Sequence, residues 1–363
     1  MSYDKEYAKE ADFDMKSQKI LVVLTGGTIG SVSSDSVRGI AGDSPYLLLR
    51  EFRRQHPTYA DCKFDTVNPF SILSENLTPA HWTMLFSILS KTDLSSYQGI
   101  IITHGSDTLA YTSAALGMML RHLPLPIVLV AADRPVGDPK SNAIPNFRAA
   151  LDFILTGGRK GVFVSYRRYD TGTQAIYLAT RLVSADNCRD EFSAYGGTPL
   201  GVIKDGIFVP DNTETNPTAH QLNLSYAPVV ADQWELSRKV MLLRAYPGMD
   251  YAAIDPQGFA AVLQYGYHSA TACTEGTNTS LLHFAERCEA CGTSLWLGAF
   301  KRAEGEMYAT SRELLDHGIH PFYDMSPEAA YAKAVLACNL PETSAFTDAE
   351  GFMKAGIYYE FVR

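Results

Sequence analysis

Two glycine-rich segments carry hydroxyl groups where apolar runs end. Residues 22–30 read VVLTGGTIG and residues 101–109 read IITHGSDTL. Thr28 offers one hydroxyl, and Ser106 offers a second beside the carboxylate of Asp107. A hydroxyl is a weak nucleophile until another group takes its proton, so this is the material for a threonine nucleophile with a separate activating group. Gly26 and Gly27 lack Cβ atoms, which lets the backbone take positive φ and lets a ligand approach the main chain. A tight strand-to-helix turn or a weak phosphate cradle would use the same glycines. Neither a G-x-G-x-x-G nor a G-x-x-x-x-G-K-[ST] pattern is present, which argues against a nucleotide.

The elements that must hold these loops are legible as period and run length. Apolar runs at 20–24, 100–102, 127–130 and 161–165 have the continuous hydrophobicity of buried parallel strands. Between them, helical patterns occupy 80–89, 108–120 and 146–155. Such alternation predicts an α/β fold with a mainly parallel sheet, helices on both faces and right-handed crossovers. In open sheets of this kind ligands bind beyond the carboxyl ends of the strands, where both loops fall. From 198 to 232 the pattern breaks into short strand-like pieces and a polar, proline-bearing stretch, read as a connection between domains. A second alternation follows: a strand at 240–244, a helix near 257–263 or later, a strand at 294–297, then helices at 311–316 and 328–336. The expected organisation is a larger domain over 18–210, a linker over 211–231 and a smaller α/β domain over 232–363.

Composition narrows the function classes. With 46% hydrophobic and 20% charged residues, the 363-residue chain reads as a globular protein large enough for two domains. A net charge of −9 argues against nucleic acid as a partner, because phosphate contacts need clustered Lys and Arg. No run is apolar enough to span a bilayer, and the mixed-charge start lacks the apolar core of a signal peptide, so a cytoplasmic protein is expected. The six cysteines are expected to stay reduced. Cys288 and Cys291 have no second pair at zinc-site spacing and suit one face of a helix, so no metal is expected. His104, without ligand partners, reads as a hydrogen-bonded structural residue.

The chain resembles the bacterial-type L-asparaginases, nearest their cytoplasmic type I branch. Residues 24–30, LTGGTIG, match the family's first signature, and residues 103–112, THGSDTLAYT, its second. The resemblance runs from about residue 20 to about residue 337. It implies that Thr28 attacks the side-chain amide carbon of L-asparagine, releasing ammonia and leaving an acyl-enzyme, with no cofactor. It implies further that Ser106 stands where the family has its second catalytic threonine and that Asp107 binds the substrate α-amino group. Ser74 is carried over as a carboxylate-binding hydroxyl, with Gly27, Glu75 and Ala131 lining the pocket. Thr78 and Pro79 also read as a plain helix start. The implied assembly is a homodimer or homotetramer in which the C-terminal domain of one subunit closes its neighbour's site through residues 265–269.

Three departures qualify that picture. The family lysine expected beyond Arg181 is absent: no lysine lies between Lys160 and Lys204, and Arg189 is the nearest cation. Arginine stays protonated, so Arg189 can stabilise charge but not act as a base; a solvated loop arginine is the competing reading. The lid reads Gly39-Ile40 where a tyrosine usually follows the glycine, with Tyr46 further on. Ser141-Asn142-Ala143 replaces a typical Ser-Asp-Gly. The alternative function is therefore a weakly active or inactive amino-acid-binding or regulatory protein on the same scaffold. A subunit handling glutamine for an aminoacyl-tRNA is discounted, because about 20 residues before the first strand are too few for the extra N-terminal domain of such subunits.

Overall fold

The computed structural model describes residues 18–27, 29, 32–34, 37–39, 44–186, 188–230, 234–298, 307–319, 321–342 and 344–362. In chain order the first part comprises β1 (Lys19–Leu24), a small hairpin of β2 (Val32–Ser34) and β3 (Val37–Gly39), α1 (Ser44–Gln55), β4 (Lys63–Val67), α2 (Pro79–Lys91) and β5 (Gly99–Thr103). It continues with α3 (Leu109–Leu120), β6 (Pro126–Val130), α4 (Ala143–Thr156), β7 (Gly161–Arg167), β8 (Gln174–Leu178), β9 (Leu182–Asp186) and β10 (Glu191–Ala194). β11 (Gly201–Lys204), β12 (Ile207–Pro210) and the short α5 (Ala219–Leu222) complete it. The second part holds β13 (Val240–Arg244), β14 (Ala261–Tyr265), α6 (Leu281–Ala290), β15 (Ser294–Gly298), α7 (Ala309–Asp316), β16 (Pro321–Phe322), α8 (Pro327–Cys338) and α9 (Ala349–Lys354).

Eight strands form one sheet in the order β12-β11-β8-β7-β6-β5-β1-β4. Its centre and one flank are parallel, and β8, β11 and β12 extend the other flank antiparallel. β5 (GIIIT) is buried along its whole length, the pattern of a strand covered on both faces. A second, wholly parallel sheet runs β13-β14-β15-β16. The α/β class expected from the alternation of runs is the observed one.

Two local outcomes differ from, or refine, the pattern reading. Residues 261–265 are strand β14 and not helix; the helix comes later, as α6. Pro256 and Gly258, at φ +82°, interrupt a helix there, and the Ala-Val-Leu-Gln-Tyr run is buried between two parallel neighbours. The short strand-like pieces expected after 198 are the hairpin β11–β12, which ends at Pro210 and completes the first sheet. Thr78 is the N-cap of α2 with Pro79 in the first turn, and Cys288 lies on α6 with Cys291 at its C-cap. Burial pushes the Cys288 thiol up to about 11, unsuited to thiolate chemistry. Among the described residues no helix is long and apolar enough to cross a membrane, and no cluster of three His, Cys, Asp or Glu side chains could hold a metal ion.

The core runs continuously from the first sheet into α8 and the C-terminal segment. α3 is buried on nearly every side, which requires its small residues Ala110, Ser113, Ala114 and Ala115. The final residues return to the first sheet. Tyr358 Oη accepts from the Val162 amide at 2.9 Å, and Thr180 Oγ1 donates to the Tyr358 carbonyl at 2.6 Å. Arg181 donates to the carbonyls of Tyr359 and Phe361 at 2.7 and 3.2 Å. Thr180 and Arg181 directly precede β9, so the chain's end braces that strand.

Candidate active site

β1 and β5 are adjacent and parallel, with Leu24 paired to Thr103, so the two hydroxyl loops leave the sheet side by side. Thr25 Oγ1 donates to the Thr103 carbonyl at 2.5 Å, and the Thr25 amide donates to Thr103 Oγ1 at 3.3 Å. The Gly27 amide then donates to the Ile72 carbonyl at 2.9 Å, while the Ile72 amide donates to Thr25 at 3.1 Å. These bonds draw a third segment, around Ile72 to Asn76, against the first loop.

Glycine is obligatory where the loops meet. Gly27 has φ +75°, and a Cβ there would lie 2.6 Å from the His104 carbonyl carbon and collide with the Gly105 backbone. A Cβ on Gly105 would in turn collide with the Ser74 side chain. Gly27, Gly105 and Ser74 are therefore stacked in direct contact. Ser74 is buried at the start of a single 3₁₀ turn and its Oγ donates to Asp107 Oδ2 at 3.2 Å. Thr108 Oγ1 donates to the Ser74 carbonyl at 3.0 Å, locking the two turns together.

The sequence-derived candidates fall as follows. Ser106 is half-buried and Asp107 exposed on a 3₁₀ turn that opens α3, with Ser74 behind Asp107. Glu75 is exposed on the neighbouring turn. Ala131 is fully buried just after β6, its carbonyl accepting from Asn146 Nδ2 at 2.9 Å. The His104 amide donates to Val130 at 2.8 Å, so the Ala131 loop flanks the Ser106 turn. Thr28 lies outside the described residues, as does Ile40 of the lid; Gly27 and the buried Ile29 flank Thr28. Arg189 is exposed in the turn joining β9 to β10, on a surface cavity of about 510 Å³ that also touches Arg168, Asp186 and Glu191. The structure thus gathers Gly27, Ser74, Ser106 and Asp107 and leaves Arg189 on that turn.

Three residues escape a reading of the sequence. Thr25 and Thr103, each one residue past an apolar run, stitch the loops together; their matching offset was the available signal. Glu328, in the first turn of α8, is buried and its Oε1 accepts from the Ser184 amide on β9 at 3.1 Å. Glu328 Oε2 is buried without a hydrogen-bond partner among the described residues. β9 in turn packs on the Ser106–Thr108 turn. A glutamate in a helix's first turn looks ordinary in sequence, so nothing there signals this brace.

His104 is buried, with Nδ1 2.8 Å from the Gly105 carbonyl and Nε2 lacking a partner among the described residues. Burial pulls its pKa down to about 4, partly offset by the Gly105 carbonyl and Asp107, so at neutral pH it is an uncharged, weakly basic imidazole. In the unfolded chain the same group titrates near 6.5, so between these values the unfolded state binds the extra proton and stability falls as pH drops. Denaturant unfolding at a series of pH values should therefore show His104→Gln losing less stability than the wild type across this window, by up to about 3 kcal/mol. Equal losses in both proteins would contradict the burial of a neutral ring.

Residues 19–214, more than half of the chain, match the family profile described as Asparaginase, N-terminal. The chain belongs to the asparaginase family. Over its length it is similar to a glutamyl-tRNA(Gln) amidotransferase subunit from Thermofilum pendens, at 28% identity over 91% of this chain and 72% of the relative. The subunit of the same name from Pyrococcus furiosus is 29% identical over 86% of this chain and 70% of the relative. Among solved structures, the thermostable L-asparaginase from Thermococcus kodakarensis superposes with a TM-score of 0.73 and 25% identity, covering 95% of this chain and all of that one. L-asparaginase I from Vibrio cholerae shares the fold, with a TM-score of 0.71 and 20% identity over 95% of this chain and 99% of that one.

Proposed function

We propose that this asparaginase-family protein is an amidohydrolase converting L-asparagine to L-aspartate and ammonia. Thr28 Oγ bonds to the side-chain amide carbon, the C–N bond breaks and ammonia leaves; water then attacks the resulting ester, freeing aspartate and restoring Thr28. Ser106 positions that water or relays a proton, and Asp107 binds the α-ammonium group of the substrate through a charge-assisted contact. Ser74 and Gly27 form the floor, Ala131 the wall, and Glu75 the rim. The observation that carries this reading is the stacking of Gly27 on Gly105, with Ser74 reaching Asp107, which brings the two hydroxyl loops to one place. No metal or cofactor is assigned a part.

The reading extends to assembly and compartment. A homodimer or homotetramer would let residues 265–269 close the neighbouring site; Tyr267 and His268 are exposed just beyond β14. The protein is read as cytoplasmic. A second reading, discounted from the sequence alone, is reopened by the curated relatives, whose name joins this scaffold to glutamyl-tRNA(Gln) amidation: the same site would then release ammonia from an amide for transfer.

Ammonia release from L-asparagine, L-glutamine and D-asparagine, each compared with Thr28→Ala, separates these. Release from L-asparagine above the control, with little from L-glutamine, is the expected result. Release from L-glutamine alone would favour the second reading. Absence of turnover while L-aspartate raises the melting temperature would make the chain a binding protein on this scaffold.

A further inference from the structure

We propose that the cleft between α1, α4 and the β11–β12 hairpin is a second binding site, for a small organic ammonium cation. The cleft encloses about 440 Å³, within the range of small-molecule sites, and shares no residue with the candidate active site. Ile144, Pro145, Ala149 and Ile203 give it an apolar wall. Its polar lining is unbalanced toward acceptors. Asp152 and Asp205 both line it, Arg148 pairs with Asp152, and Gln174 Oε1 is buried without a hydrogen-bond partner among the described residues.

Asp152 is the centre of the site. Its side chain is only 4% exposed, accepts from Tyr59 Oη, and lies 3.5 Å from Arg148 Nε, itself buried without a formed hydrogen bond. The Asp205-Gly206 turn overhangs the pair: a Cβ on Gly206 would stand 4.0 Å from both Arg148 Nη2 and Asp152 Oδ2. The half-exposed guanidinium pairs with this buried carboxylate at 3.5 Å without a hydrogen bond from Nε, so the pairing is a loose one. An ammonium group entering beside Asp152 would add a closer positive charge, with its alkyl part on the Ile144 and Ile203 wall.

Burial holds the Asp152 pKa up at about 6, against the lowering effects of Tyr59 and Arg148. A bound cation favours the ionised carboxylate, so binding should tighten as pH rises through that value. The other groups facing Asp152 are His56 from the end of α1, Tyr59 from the following turn, Arg148 on α4 and Asp205 from the hairpin. Burial and then Arg148 pull His56 below its ordinary pKa; where it does protonate at low pH it repels a cation, which has the same sign.

Isothermal titration of the full chain with n-butylammonium, 1-butanol and butyrate tests the site. The ammonium should bind at least about tenfold more tightly than either control, and more tightly one unit above the Asp152 pKa than one unit below it. Asp152→Asn should abolish this preference. Should that variant not fold, Asp205→Asn on the exposed turn should weaken ammonium binding by about threefold or more. Thr28→Ala should bind as the wild type does. Equal affinity for 1-butanol, preference for butyrate, no detectable ammonium binding, unchanged affinity in the folded carboxylate variants, or loss in Thr28→Ala would each overturn the proposal.

Discussion

Replacing Thr28 with alanine should lower ammonia release from L-asparagine by at least about 10³-fold, the scale of effect when a covalent nucleophile is removed. Ser106→Ala should cost less, about 10²-fold, because it removes one proton-relay step while the nucleophile and the Asp107 contact remain. The wild type itself should be slow. The chain has no lysine between Lys160 and Lys204 to assist the second hydroxyl, and general-base assistance is worth about 10²–10⁴-fold. Arg189 offers no replacement base, since a guanidinium holds its proton. Its exposed place in the β9–β10 turn leads us to expect kcat within about threefold of wild type for both Arg189→Lys and Arg189→Ala. Steady-state ammonia assays on folded variants decide the matter. A Thr28→Ala protein as active as wild type would remove the covalent mechanism, and a collapse in Arg189→Ala would bring that guanidinium into the site.

The strands that carry the hydroxyl loops were legible because continuous burial imposes continuous hydrophobicity, which survives in a single sequence. Residues 20–24 and 100–102 could hardly be anything else. A helix expected near 257–263 or later is the later one, α6, because a short apolar run has no period of its own and the neighbours β13 and β15 make 261–265 a strand. β11 and β12, four residues each, were legible as strand-like pieces, but the sheet edge they extend was not. At the candidate site, residue types were readable and contacts were not. Nothing in the order of residues 70–79 says that Ser74 Oγ turns to Asp107, 33 positions away, or that Gly105 must be glycine to clear Ser74. Such facts belong to tertiary packing, where a missing side chain at one position exists to fit a side chain at another.

The largest effect on stability is expected at a pair that periodicity hides. Lys333 on α8 and Glu360 near the C-terminus are both fully buried and form an ion pair, in a helix whose other buried residues are mostly alanine and aliphatic. Glu360 also accepts from the amides of Ile357 at 2.9 Å and Tyr358 at 2.7 Å, and Lys333 donates to the Ala355 carbonyl and lies 4.3 Å from the Phe361 ring centroid. Burial alone would raise the Glu360 pKa; Lys333 and these amides outweigh it and hold the carboxylate ionised. Lys333→Met should therefore strand a buried negative charge and cost about 3–5 kcal/mol. Adding Glu360→Gln removes that charge while keeping an acceptor for the turn amides, so the double variant should recover part of the loss. Denaturant unfolding of the three variants measures the coupling. Additive losses would mean that the two charges do not sustain each other. The pair closes the turn whose Tyr358 and Tyr359 carbonyls are held by Thr180 and Arg181, directly before β9 and the Ser106 turn it packs on. Residual activity in Lys333→Met, assayed below its unfolding temperature, should thus fall further than the folded fraction does, because loosening the tail loosens the strand behind Ser106.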